Sequence, residues 1–576
     1  MLNYDRSTFF DLYQPLTTDY ISKALKEAPK PKGGVDTDQF ADNNMTIILD
    51  DGGKLVYKLS PETLTLAENG GDAVAAPYAI QYLDGVTLMS HLIPGTLRCL
   101  NVIIDEVTNI VTVFETWFGG YERAPREVWR DIRKGYIDHG QAAPTERHEL
   151  TNRVEGLGTH WKTDDGNEVL YFFPSVVWSS YVELSHPRGG ITITAPSDYL
   201  KINDHQYIYS RAEQEYSGSF TLEVFDLFEF KNIGVRIGFT LEDALDYTVY
   251  SGEGTVTGRY AQLEPLTDYG TKIPFEEGMQ KMLDNGPKGI RPSYRPRILH
   301  DDHSPEEVEE IIRTKARFFD GGTIMSSKNT MEESGYLTGK TFTLRYDDGS
   351  AWEYSFIDAE TLKWRAEGEA EWTQDNYRAY EPAKDLLLFA HICTDSRPLR
   401  NLTHAIDFKN ALATCVDAVM GSSRKAWEVS NRAIFGVAEG IGLEIPAVAR
   451  HGFTTELVGK AFSWTYSDWM QSIHVYSSPE SYSWTIMMPD NTGGVMWSSP
   501  CLYVKLRDEV YLMSWTEDTC NGNQGTFVLN TNIMHDAGFF YGIGGNAGGE
   551  ADVHLDPLGA YCRQLGSYDI TKYFTR

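Results

Sequence analysis

At 576 residues the chain is longer than one hydrophobic core supports, and length alone suggests about four domains of ordinary size. Hydrophobic residues (41%) and aromatics (12%) suffice for folded cores, while 51 basic against 82 acidic residues leave a net charge of −31. Such a balance excludes the basic surface that nucleic acid or an anionic membrane face requires.

Residues 1–42 read as an N-terminal arm, with Ala28-Pro29-Lys30-Pro31-Lys32-Gly33-Gly34 as a linker. Met1 to Arg6 lacks a basic stretch leading into an apolar run, so no secretory signal is expected. From Met45 the pattern alternates in period two. Thr46 to Leu49, Lys54 to Leu59, Glu62 to Leu66, Val86 to Leu92, Cys99 to Ile104 and Ile110 to Phe114 predict short strands, with Asp50-Asp51-Gly52-Gly53 as a hairpin turn. Evenly spaced antiparallel strands joined by tight turns predict a meander closing into a small barrel, here barrel A over 43–122. A helix is expected from Pro125 to Tyr136, followed by barrel B, the pair covering 123–270.

Residues 271–337 form the inter-repeat linker. It contains an expected helix from Pro305 to Phe319, with Ser304 as N-cap and Glu307 completing a capping box. His300-Asp301-Asp302-His303 before it reads as a solvated loop, and no metal site is assigned. The order then repeats: barrel A′ over 338–421, then a helix around Arg424 to Arg432 plus barrel B′ over 422–576.

The repeat is visible in the residues. Ile48-Leu49-Asp50-Asp51-Gly52-Gly53-Lys54-Leu55-Val56-Tyr57 is echoed by Arg345-Tyr346-Asp347-Asp348-Gly349-Ser350-Ala351-Trp352-Glu353-Tyr354. Arg147-His148 returns as Arg450-His451, and Tyr207 to Glu213 returns as Tyr511 to Glu517. The two halves therefore descend from one duplicated unit. They are expected to pack as an internal pseudo-dimer.

Six scattered cysteines without CxxC spacing suggest reduced thiols and a cytoplasmic protein. No run of about 18 apolar residues is present, so no helical membrane span is expected. The chain also lacks a Walker loop, G-x-G-x-x-G, G-x-S-x-G and H-E-x-x-H, leaving nucleotide, flavin, serine-hydrolase and zincin chemistry without support. No cofactor is assigned.

The words Thr454 to Lys460, Trp464-Thr465-Tyr466, His474-Val475-Tyr476, Tyr482-Ser483-Trp484 and Tyr511 to Glu517 resemble the MoaF C-terminal domain. Gly339 to Gly349 resembles the MoaF N-terminal domain, so the chain looks like two MoaF-type proteins in tandem. MoaF-like domains are similar to phenolic acid decarboxylases, which are cofactor-free lipocalin-like barrels. The resemblance implies a mainly β protein of four tandem lipocalin-like (calycin) antiparallel β-barrels in two A-B repeats with short connecting helices. In those decarboxylases two tyrosines hold the substrate carboxylate and a glutamate exchanges a proton with the substrate. Trp464 and Tyr466 fall at the tyrosine positions and Glu517 at the glutamate. Trp464 departs from the pattern, and the family arginine falls near Val495 or Met496 and is missing. Barrel B keeps a thinner set, Trp161, Thr163 and Glu213.

Glu213 and Glu517 each end an alternating strand. A carboxyl in an aromatic lumen would have its pKa raised and could move protons near neutral pH; at the rim, paired with Arg507 or Arg563, Glu517 would be structural. Tyr466, Tyr482 and Trp484, with Trp464, Trp515 and Trp161, would either pack the core or form a stacking wall for an aromatic ligand. His91 and His391 correspond on apolar strands of A and A′, as lumen acid–base groups or as core imidazoles. Arg400 would pair with Asp407, as Arg98 with Asp105, or anchor a substrate carboxylate. The functional expectation is acid–base chemistry (decarboxylation, isomerisation or cyclisation) on a small hydrophobic or aromatic metabolite. A lipocalin-like carrier and a MoaF-type accessory factor are the alternatives.

Overall fold

The computed structural model describes residues 17–26, 28–35, 37, 42–118, 128–175, 177–185, 190–213, 219–240, 244–260, 303–319, 327–421, 426–467, 470–487, 495–517, 522–545 and 551–574. The described chain is mainly β, with two α-helices, Thr18–Leu25 and Pro305–Lys315. No helix among the described residues is long and apolar enough to cross a membrane.

Three sheets hold the strands. The first has nine strands between Asn44 and Ile137, in a purely antiparallel order that begins at Val74–Pro77 and ends at Ala79–Leu83. Those two edge strands are consecutive in the chain and separated by Tyr78 alone, so the sheet curls back on itself. The second is a closed barrel of eight strands from Thr341–Tyr346 to Val429–Glu439. There one strand, Thr373–Ala383, pairs on both sides and does the work of the two edge strands.

The third sheet has twenty strands and joins what the sequence separates as B and B′. Within it Leu157–Thr163 pairs with both Glu168–Phe172 and Leu245–Tyr260. Lys460–Thr465 likewise pairs with both Gln471–Val475 and Tyr561–Tyr568. The two circuits meet where Gly258, Arg259 and Tyr260 pair with Tyr568, Ser567 and Gly566. Backbones approach closely at this seam: a Cβ on Gly258 would lie 2.1 Å from the Ser567 carbonyl oxygen. Hydroxyls knit it further. Thr192 donates its N–H to Ser481 Oγ at 2.7 Å and its Oγ1 lies 2.6 Å from Ser477 Oγ. B and B′ are thus two antiparallel barrel circuits joined into one continuous sheet.

Two expected helices are strands. Residues 128–136, within the helix expected from Pro125, belong to Val128–Ile137, the strand between Ile110–Phe118 and Asn44–Leu49. Residues 429–432, at the end of the helix expected around Arg424, belong to Val429–Glu439, which closes the second barrel. Neighbours on both sides supply the backbone hydrogen bonds, and tertiary pairing overrides local propensity. The A-type units therefore run to Ile137 and Glu439, past the expected boundaries at 122 and 421.

The helix Pro305–Lys315 has its full capping box, with Glu307 N–H donating to Ser304 Oγ and Ser304 N–H donating to Glu307 Oε2. It stops four residues short of the expected end, because Ala316–Phe318 adds as a parallel strand beside Ala551–Leu558. The Ala28–Gly34 stretch is anchored rather than free: Ala28 is buried and Lys32 bridges Thr248. Gly544 and Gly545 end His535–Gly545, and two further strands follow. Residues 300–302 of the His-Asp-Asp-His run lie outside the described residues.

Repeated words become repeated geometry. In both A-type hairpins glycine takes the left-handed turn position, Gly52 at φ +88° and Gly349 at φ +90°. His148 and His451 are buried staples, with Nδ1 2.9 Å from Thr112 Oγ1 and 2.8 Å from Thr414 Oγ1. Burial lowers both imidazoles to about 4.

Candidate functional site

Strand alternation decides what faces the B′ interior. On Val510–Thr516 the side chains of Leu512 and Ser514 face the A′ barrel, through an apolar layer shared with Val528 and through Asn431. Tyr511, Met513 and Trp515 face the other way, and Glu517 continues that parity. By the same rule Phe462, Trp464 and Tyr466 point inward, together with His474, Tyr476, Tyr482 and Trp484.

These side chains form one aromatic wall. The His474 ring lies 5.4 Å from Trp464 and 5.1 Å from Tyr482. Tyr482 lies 5.8 Å from Trp515, Trp515 stacks on Phe527 at 5.1 Å, and Trp484 meets Trp497 at 4.9 Å. Gly525 permits the Trp515 stack, because a Cβ there would come within 2.5 Å of the indole. Six residues selected from sequence, Trp464, Tyr466, Tyr482, Trp484, Trp515 and Glu517, thus share one enclosure.

Two carboxyls belong to it. Burial raises Glu517 to about 7, and the Trp515 indole N–H, 3.5 Å from Oε1, offsets part of that rise. Burial also drives Asp536 well above the usual aspartate range, although its Oδ1 accepts the Ala560 N–H at 2.6 Å. Burial, then the charge of Asp536, then that of Glu517 raise the Tyr466 phenol, so Tyr466 has both acids as electrostatic neighbours. His474, with Nε2 3.0 Å from Ser472 Oγ and Nδ1 unpartnered, is held neutral by burial, its pKa lowered to about 3. The enclosure therefore offers a carboxyl poised between its two protonation states at neutral pH, a second carboxyl whose ionisation burial disfavours, a neutral imidazole and unspent phenol hydroxyls such as Tyr476 Oη.

Sequence reasoning passed over Asp536. It shares the inward parity of Gly538 and Phe540, which could have exposed it. Of the two suggested rim partners for Glu517, Arg507 is engaged elsewhere, forking onto Asp407 at 2.6 and 2.9 Å.

The remaining candidates sit in other units. Glu213 and Trp161 are buried in B, where Glu213 adds its charge to burial in raising the Tyr181 phenol and Trp161 stacks on Phe225 at 5.1 Å. Trp161 Nε1 donates to Thr159 Oγ1 at 2.9 Å. His391 lies inside A′ in a hydrogen-bonded chain. Its Nδ1 is 3.7 Å from Asp375 Oδ2 and its Nε2 is 3.1 Å from Tyr354 Oη. Tyr354 Oη is also 2.8 Å from His404 Nε2, whose Nδ1 is 2.6 Å from Tyr346 Oη. In A only the centre of this chain survives, His91 Nε2 at 3.1 Å from Tyr57 Oη. Burial lowers His91 to about 4 and His404 well below its usual value, so both are neutral hydrogen-bonding groups at physiological pH.

Arg400 does not pair with Asp407. It grips Asp417 at 2.7 and 2.9 Å, and Arg98 grips Glu68 and Glu115 rather than Asp105. The Asp407 and Asp105 carboxylates instead cap their own turns, accepting from Lys409 and Asn410 and from Val107 and Thr108.

Residues 319–422 match the MoaF N-terminal domain and residues 451–568 the MoaF C-terminal domain. No curated protein matches the chain significantly. Among solved structures, a putative beta-lactamase from Burkholderia vietnamiensis is 14% identical, with 19% of this chain and 96% of that one covered, at a TM-score of 0.16. The beta subunit of DNA polymerase from Streptococcus pyogenes is 8% identical, with 74% and 98% covered, at a TM-score of 0.09. Scores this low carry no structural argument.

Proposed function

We propose, starting from the MoaF N- and C-terminal domains of the second half, that the B′ enclosure performs proton-transfer chemistry on a small aromatic or unsaturated metabolite with side chains alone as acid and base. One observation carries this reading: Glu517, on an aromatic wall, has a carboxyl raised by burial to about 7. At that value both protonation states are populated at neutral pH, which general acid–base catalysis favours. Tyr466 would orient the substrate beside Glu517, while Asp536, whose neutral form burial favours, would donate a hydrogen bond to charge developing on it. Trp464, Tyr482, Trp484 and Trp515 would hold a flat, apolar body by stacking. Decarboxylation, isomerisation and cyclisation all need one such proton transfer.

The test is incubation of the full chain with a panel of aryl-substituted unsaturated acids and ketones in D2O, with mass-spectrometric detection of deuterium uptake or loss of CO2. Glu517→Gln should lower the rate on any substrate found by at least about a hundredfold, the scale of a positioned acid or base. Wild-type turnover in that variant would end the proposal. The aromatic wall equally suits a carrier that binds without reacting. That second reading prevails if a compound binds the chain and emerges without isotope exchange.

A further inference from the structure

We propose that the interior of unit B is a second, separate binding site that takes a small organic carboxylate on Arg211. Arg211 lies on Gln206–Glu213 and is one of the largest fully buried side chains. Its guanidinium carbon is 3.7 Å from the centre of the Tyr181 ring and 5.0 Å from that of Tyr171. Nε and Nη1 donate no hydrogen bond to the protein. A guanidinium keeps its charge at any accessible pH, and burial without a counter-charge is strongly unfavourable.

Other buried or half-buried arginines among the described residues meet carboxylates. Arg130 faces Asp198, Arg317 faces Asp552 and Asp556, and Arg507 faces Asp407. Glu223 contributes attraction to Arg211 but is spent elsewhere. Its Oε1 accepts from Tyr250 at 2.7 Å, from Tyr171 at 3.2 Å and from Asn232 at 3.3 Å, and its Oε2 has no partner. Burial outweighs the pull of Arg211 and the two phenols and brings Glu223 to about 7.

The duplication isolates what is special here. At a spacing of 304, Arg211 and Glu223 occupy the positions of Trp515 and Phe527, which in B′ simply stack. An aromatic pair fills this volume without any charge, so the framework does not require the arginine. Its unpartnered Nε–H and Nη1–H donors and its fixed charge suit a carboxylate. Around it, Tyr171, Tyr181, Tyr209, Trp161 and Phe225 form an aromatic, apolar surrounding. The nearby Glu223 carboxyl disfavours a multiply charged anion, which selects a monocarboxylate over a phosphate ester.

The experiment is calorimetric titration of the full chain at pH 8 with benzoate, phenylacetate and 3-phenylpropionate, each against its primary amide. At least one acid should bind, its amide at least about tenfold more weakly. Arg211→Gln should weaken that acid by a similar factor. Glu223→Gln, which removes a like charge, should tighten it, and Glu517→Gln should leave it unchanged. If none of the acids binds, if amide and acid bind alike, if R211Q keeps wild-type affinity, or if E517Q abolishes binding, the proposal fails. Should R211Q not fold, the acid–amide comparison and E223Q still decide.

Discussion

Replacing Glu517 by Gln keeps the shape of the side chain and removes its ability to ionise. Burial lifts this carboxyl from 4.5 to about 7, a displacement worth about 3 kcal/mol between its two states. The side chain keeps some contact with solvent, and screening reduces the figure to about 2 kcal/mol. A carboxyl whose folded pKa lies above its unfolded one favours the fold when protonated. Its full contribution is therefore present below pH 4.5 and is lost as pH rises through 7. Wild type and E517Q should melt close together at pH 4.5. At pH 8 E517Q should melt higher, by about 4–8 °C for a domain of this size. Scanning calorimetry of both proteins at several pH values between these limits reads the difference. A Tm offset that does not change with pH would refute the reasoning, because the carboxyl would then titrate as it does in water.

Two further substitutions probe the framework. Tyr354→Phe orphans nitrogens of both His391 and His404, whereas Tyr57→Phe orphans one on His91. Thermal melting should show a loss of about 2–4 kcal/mol for the first and about 1–2 kcal/mol for the second, and equal losses would contradict the hydrogen-bond chain. Arg507→Leu strips the fork from buried Asp407. Burial would raise that carboxyl, and Arg507 with Asn410 and the Lys409 N–H now holds it below its usual value. Denaturant titration should register a loss of about 2–3 kcal/mol, below the full cost of breaking a buried pair because Lys409 and Asn410 still donate. An unchanged midpoint would show that the pair is not needed.

Much of the B′ wall was legible because alternation is a local property. Once Tyr511 and Met513 are inward, Trp515 and Glu517 must follow, and the same parity gathers Trp464 with Tyr466 and Tyr482 with Trp484. Asp536 and the Arg211–Glu223 arrangement were not read. Strand parity could have given the direction of Asp536, but what that face encloses, and what Arg211 meets, depends on the strands that flank them. The Tyr57–His91 and Tyr354–His391 contacts join residues 34 and 37 positions apart. Persistence of both residues in both halves was the available signal. The two expected helices fail for the complementary reason: Val128–Ile137 and Val429–Glu439 each lie between two partner strands, a pairing that no local pattern reveals.

From the linear chain alone come the duplication, the β character, the hairpin turns and the parity of the aromatic strands, since each rests on neighbours a few residues apart. The tertiary structure decides the rest: that B and B′ close into one sheet through Gly258 and Gly566, that Arg400 serves Asp417, and that equivalent positions hold a charge in one half and stacked rings in the other. Those outcomes depend on which groups meet across long loops and on how much water remains around them, and desolvation is a property of the assembled enclosure rather than of any segment.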